Sequence, residues 1–242
     1  MISRYRLRFR FSIASAGVLL LLASAGLSQT STVTAQIVVD RKGGEKRGAK
    51  DFRTVVWLEP LQAQVPAPAP EHGITLVQKN KQFEPRLLVI PVGTAVEFPN
   101  HDPFFHNVFS LFDGKRFDLG LYEAGTSRTV HFDRPGISYI FCNIHSQMSA
   151  VVIALDTPYH AMAGSQGAIA IHGVIPGRYR LEVWHEGSSV DALKRLSREV
   201  TVNAADTALG KLTVVQEQAV VTHKNKYGRD YEEPERPSYE PQ

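Results

Sequence analysis

Cysteine is almost absent from this chain: Cys142 is the only one in 242 residues. That excludes a disulfide framework within the chain and any cysteine-rich zinc site. Long apolar runs are also scarce. One lies near the N-terminus, at residues 13–23, and no second follows, which excludes a multi-span helical membrane protein. With 43% hydrophobic and 21% charged residues, the chain is neither disordered overall nor collagen-like nor coiled-coil-like. It also lacks an excess of basic charge. The formal charge is +3, but Arg4, Arg6, Arg8 and Arg10 precede the apolar run and the small residues Ala23-Ser24-Ala25 follow it. This is the three-part pattern of a secretory signal. Without those four arginines, 23 of the 27 basic residues face 24 acidic ones, a net charge of −1. Nucleic acid is therefore not an expected partner, since phosphate binding needs a basic face.

The expected location is exported, periplasmic, with an uncleaved N-terminal anchor as the alternative. Membrane contact is expected only in that second case. Oxidising compartments favour paired cysteines, so an odd one is either buried and inert or chemically used.

Past the signal, short alternating runs rich in Val, Ile and Phe are separated by Gly, Pro, Asn and Asp. They predict strands at 33–39, 54–58, 74–78, 87–91, 95–98, 107–109, 127–132 and 138–141. Further strands are expected at 149–155, 168–171, 178–184, 199–202 and 209–215. The connections are too short for crossover helices, which predicts an all-β chain of antiparallel sandwiches. One short helix is expected over 190–198. Residues 65–70 read VPAPAP, a semi-rigid extended linker. The tail from His223 is charged and poor in aliphatics, and reads as disordered.

Nine of the 12 phenylalanines lie between Phe83 and Phe141, which predicts a Phe-rich core, a dry shell around a site, or both. Two segments there carry chemistry. Residues 96–109 read VEFPNHDPFFHNVF, and residues 139–148 read YIFCNIHSQM. The second presents a thiolate, an imidazole and a thioether within seven residues. With a histidine from a distant strand end, it makes a set of two histidines and one cysteine with a weak axial Met, the ligand set of an electron-transfer copper site. Thiolate is soft and stabilises Cu(I), imidazole suits both oxidation states, and a metal-bound thiol is deprotonated.

These segments resemble the cupredoxin family, in particular its plastocyanin-like and amicyanin-like blue copper members. The shared pattern is V-x-F-x-N, then His-Asn opening a strand, then F/Y-C-x2-H and a Met. The resemblance covers residues 73–156. It implies a Greek-key β-sandwich, one copper per chain cycling between Cu(I) and Cu(II), and His106, Cys142, His145 and Met148 as ligands. It makes Asn107 a residue that steadies the ligand loops. The Cys-to-Met spacing is that of the shorter amicyanin-like loop, and Ile144 stands where many members have proline. His101 is the competitor for the strand-end ligand, but it lacks the Asn-Val-Phe that follows His106.

Multicopper enzymes flank the cysteine with histidines that bind the next metal. Here Phe141 and Asn143 flank Cys142, and a filled ligand set leaves little room for catalysis. The expectation is a one-electron carrier, not an enzyme. Its expected partner is a transient redox protein, a cytochrome among the candidates, docking over Phe104, Phe105, Ile144 and Met162 beside His145. The alternative function is an envelope-associated binding or structural module with a copper-handling or vestigial site. No oligomeric state is implied.

Residues 167–184 resemble the carboxypeptidase-regulatory-like, transthyretin-like sandwich. The N-terminal strands are expected to complete that second small β-sandwich, with Trp57 and Trp184 sharing its core. The division that follows is 1–25 signal, 31–60 N-terminal strands, 61–72 linker, 73–156 cupredoxin domain, 157–217 second sandwich and 218–242 disordered tail.

Overall fold

The structure is a computed structural model and describes residues 29–41, 53–62, 65–111, 114–217 and 224–231. The signal expected at 1–25 lies outside the described residues. In chain order the strands are β1 (Ser31–Arg41), β2 (Thr54–Pro60), β3 (Ile74–Thr75), β4 (Val77–Lys79), β5 (Gln82–Glu84) and β6 (Leu87–Pro91). There follow β7 (Ala95–Glu97), β8 (His106–Ser110), β9 (Phe117–Tyr122), β10 (Thr129–His131), β11 (Gly136–Phe141) and β12 (Ser149–Leu155). The last are β13 (His160–Met162), β14 (Ala168–Val174), β15 (Gly177–His185), the helix α1 (Val190–Lys194), β16 (Arg198–Val202) and β17 (Thr207–Gln216).

The described chain is all-β apart from α1, and it forms two sandwiches. In the first, a sheet ordered β6-β12-β11-β8-β9 faces the sheet β10-β7-β3 and the β4-β5 hairpin. Leu76, Phe83, Phe98, Val108, Ile140 and Val152 fill the space between. The chain crosses between the sheets at β6–β7–β8 and again at β9–β10–β11, while β8–β9 and β11–β12 stay paired within one sheet, as in Greek-key sandwiches. In the second, β14-β1-β17 faces β13-β2-β15-β16 over Val33, Ile37, Leu58, Tyr179, Leu181 and Leu212. The strands β1 and β2 thus belong to the second sandwich, although the whole first sandwich lies between them and β13 in sequence.

Side-chain alternation explains how the two sandwiches meet. Alternate residues of a strand point to opposite faces. In β12, Ala150, Val152 and Ala154 enter the first core, while Val151, Ile153 and Leu155 point out of it. In β2, Val56 and Leu58 enter the second core, while Val55 and Trp57 point out. The outward residues meet in a third apolar layer with Trp184. A strand buried on both faces reads as a continuous apolar run, and β12 reads SAVVIAL. Trp184 Nε1–H donates to Tyr139 Oη across this layer at 3.2 Å, and Arg53 and Arg86 both pair with Glu186. Trp57 and Trp184 do share a cluster, but it is this layer between the sandwiches rather than the core of the second one.

Three pairings differ from the expected antiparallel pattern: β1 with β17, β3 with β7, and β6 with β12 are parallel. Only a tight hairpin forces antiparallel direction. These partners are joined by long excursions through other strands, so their direction is free. The helix α1 is shorter than expected. Ser189 caps it by accepting the Ala192 N–H, and β16 begins at Arg198. The linker segment 65–70 is neither strand nor helix.

Candidate metal centre

The strand β8 begins at His106 and its antiparallel neighbour β11 ends at Phe141, with Phe141 opposite Phe109. The first residue of β8 and the residue after β11 therefore lie at one end of the sheet. Beyond Cys142 the chain turns back at once. Met148 N–H donates to His145 O at 3.0 Å, and Cys142 N–H donates to Met148 O at 3.3 Å. This short loop carries His145 over the end of the sheet.

The result is a cluster in which the donor atoms of His106, Cys142 and His145 all lie within 4.8 Å of one another. Cys142 Sγ stands 3.7 Å from His106 Nδ1 and 3.6 Å from His145 Nδ1. Nitrogen and sulfur ligands bind a first-row ion at roughly 2.0–2.3 Å, which separates them by about 3.5–3.7 Å at tetrahedral or trigonal angles. The three donors are spaced to hold one ion. Cys142 and His106 are fully buried, and His145 is half-buried. The Met148 side chain is fully buried in the same apolar cluster as Cys142. His101 is exposed and lies outside the cluster, its N–H bonded to Gln78 O.

Burial favours the neutral forms of both Cys142 and His145. Burial pushes the Cys142 thiol up, and the backbone N–H groups of Asn107, Ile144 and His145, which point at the sulfur, pull it back in part. Such donors stabilise a thiolate. Burial and the neighbouring His106 hold His145 below its ordinary value, so it is a neutral imidazole with a free lone pair. His106 Nε2 lies 2.8 Å from Asp102 Oδ2. The carboxylate accepts, so Nε2 carries a proton and Nδ1 is the ring nitrogen that faces Cys142. Burial would raise Asp102, but the N–H groups of Lys81 and Asn80 and the ring of His106 outweigh it and hold the carboxyl below its usual range.

Asp102 escaped the sequence reading. The available signal was the spacing Asp102-x3-His106, but its other partners, Asn80 and Lys81, lie more than twenty residues upstream. Asn107, expected to steady the ligand loops, lies beside Cys142. Its N–H faces the Cys142 sulfur and its Nδ2 donates to Asp118 Oδ1 at 2.7 Å. The phenylalanines divide: Phe83, Phe98 and Phe132 are core, whereas Phe104 packs edge-on against His106 and tilted against His145. Phe105 and Ile144 are exposed, while Met162 belongs to the edge strand β13 of the other sandwich.

The tail differs from expectation. Residues 224–231 are placed against the ligand loop rather than disordered. Lys226 N–H donates to Asn143 Oδ1 at 2.9 Å, Lys226 Nζ to Asp118 Oδ2 at 2.8 Å, and Tyr231 Oη to Cys142 O at 2.6 Å. A charged composition predicts little burial of its own, but these side chains find fixed partners on another segment. The remaining tail residues, 218–223 and 232–242, lie outside the described residues.

A family profile described as Polysaccharide lyase family 4, domain II matches residues 145–209. It lends no support to the expected carboxypeptidase-regulatory-like resemblance, and it begins at His145. A search of curated proteins finds no match. Among solved structures, a purple cupredoxin from Nitrosopumilus maritimus is 23% identical, covering 34% of this chain and 99% of its own, with a TM-score of 0.31. A Cu-containing nitrite reductase from Thermus scotoductus SA-01 is 23% identical, covering 48% of this chain and 28% of its own, with a TM-score of 0.33. A Cu(I) amicyanin variant is 15% identical, covering 41% of this chain and 98% of its own, with a TM-score of 0.33.

Proposed function

We propose that this chain holds one copper ion between His106, Cys142 and His145, with Met148 as a weak axial donor, and passes single electrons. The observation that carries the reading is the convergence of two imidazole nitrogens on one buried sulfur, at separations that suit a single ion. When bound, copper held by two imidazoles and a thiolate supplies reversible Cu(I)/Cu(II) chemistry tuned by the axial ligand and by hydrogen bonds to the sulfur. The chain's own residues prepare for this. Three backbone N–H groups point at the sulfur, Asp102 fixes one imidazole, and Phe104 walls both rings.

The role we assign is carrier rather than catalyst. Phe141 packs against Phe109 and Asn143 is bonded to Lys226, so the neighbours of Cys142 are committed elsewhere. His145 is the ligand closest to solvent, flanked by exposed Ile144 and near Phe104. We place the docking of a transient redox protein there, over Ile144 and Phe105, as a small weak interface suited to electron transfer. We take residues 73–156 as the copper-holding unit and the exported, periplasmic space as its location.

The second reading is an envelope-associated binding or structural module whose site handles copper or is vestigial. The profile match over 145–209 favours it. Titration of the protein with Cu(II), followed by visible absorption beside Cys142→Ala, separates the two. The carrier reading predicts an intense thiolate-to-copper band saturating at one copper per chain and absent from the variant. Colourless protein, or weak colour indifferent to Cys142, would favour the second reading.

A further inference from the structure

The carboxylate behind His106 is built into the fold from both sides. Asp102 is buried, and its carboxylate oxygens meet two backbone N–H groups and one ring nitrogen. The hairpin between β4 and β5 turns through Asn80 and Lys81, both at φ 55°. Non-glycine residues rarely adopt that region, and a two-residue hairpin of this kind needs it twice. The strained turn aims two amides at one carboxylate: Asn80 N–H donates to Asp102 Oδ1 at 2.6 Å and Lys81 N–H to Oδ2 at 2.9 Å. Asp102 N–H in turn donates to Asn100 Oδ1 at 3.0 Å, and Asn100 Nδ2 donates to Phe104 O at 2.8 Å. The loop from Asn100 to His106 is thereby fixed at its start, middle and end.

We infer that Asp102 is a positioning residue for the metal site. Its carboxylate holds the Nε2–H of His106, orients the ring so that Nδ1 faces Cys142, and supplies a fixed negative charge that favours the more oxidised ion. Hydrogen-bonded carboxylates behind a ligand histidine raise its basicity, and losing them typically costs about 10–100-fold in metal affinity. The amides of the 80–81 turn hold this carboxylate stationary and stabilise its charge. The second half of the inference rests on the copper reading above; the first half does not.

The test uses the full chain in two states. In metal-free protein labelled with 15N, NMR reads the His106 Nε2–H directly. A slowly exchanging Nε2–H is expected in the wild type and in Asp102→Asn, which keeps a carbonyl acceptor, but not in Asp102→Ala. After copper loading, Asp102→Ala is expected to bind about 10–100-fold more weakly. Asp102→Asn is expected to raise the reduction potential, because it removes the charge and keeps the bond. A purely structural role for Asp102 would leave that potential unchanged. Absence of a protected Nε2–H in the wild type would overturn the inference, as would unaltered affinity and potential in both variants. Protein that binds no copper yet loses the protected proton in Asp102→Ala would refute the copper reading and support the positioning role.

Discussion

Ile153→Ala tests whether the two sandwiches act as one unit. Ile153 is fully buried, and its side chain lies in the layer with Val55, Trp57 and Trp184. The change deletes three carbons, worth about 0.8 kcal/mol each in transfer free energy. It also leaves a cavity between two sheets that are held apart by two tryptophans and cannot close around it fully, which adds to the loss. The expected destabilisation is about 3–4 kcal/mol. In a domain pair of this size, each kcal/mol lowers Tm by roughly 2–4 °C, so the midpoint should fall by roughly 6–16 °C. Because the layer belongs equally to β12 and to β2 and β15, unfolding should remain a single transition. Calorimetry together with tryptophan fluorescence reads both quantities: Trp57 and Trp184 report the layer, and the heat reports the whole chain. Two separated transitions of which only one moves, or a loss under about 1 kcal/mol, would refute the shared layer as a source of stability.

Two further predictions concern the segment 224–231. Tyr231→Phe removes the phenol bond to Cys142 O and should cost about 1 kcal/mol. Hydrogen exchange at the Ile144 and His145 amides should quicken with it; unchanged exchange would place Tyr231 outside the loop's support. Burial would raise Asp118, but Lys226, Gly120 and Asn107 outweigh it and hold its carboxyl below the ordinary value. A depressed carboxylate stabilises the fold above its unfolded pKa of about 3.9 and loses that contribution as pH falls through its lower folded value. Acid titration of stability should therefore be shallower in Asp118→Asn than in the wild type below about pH 4, and equal slopes would contradict the Asp118–Lys226 link.

The local signals carried much of this fold. The segments 87–91 and 149–155 coincide with β6 and β12 because alternating or continuous apolar runs have one physical reading. The strand β9 was missed because FDLGLY places Asp118 and Gly120 inside it, and Gly120 sits at φ 67° beside an irregular register with β8. The strands β5 and β13, three residues each, are too short to show a period. The three-donor cluster was legible because its cysteine and second histidine share one loop and the first histidine opens a recognisable strand. Asp102 and Tyr231 were not. Their importance comes from partners at Asn80, Lys81 and Cys142, and nothing in the residues beside them encodes those pairings.

Voltammetry of the copper-loaded protein addresses most directly whether the site exchanges one electron reversibly. A carrier built on His106, Cys142 and His145 should give a single reversible one-electron wave that disappears in Cys142→Ala. Tightly bound copper with no reversible wave, or a wave that persists without Cys142, would contradict it.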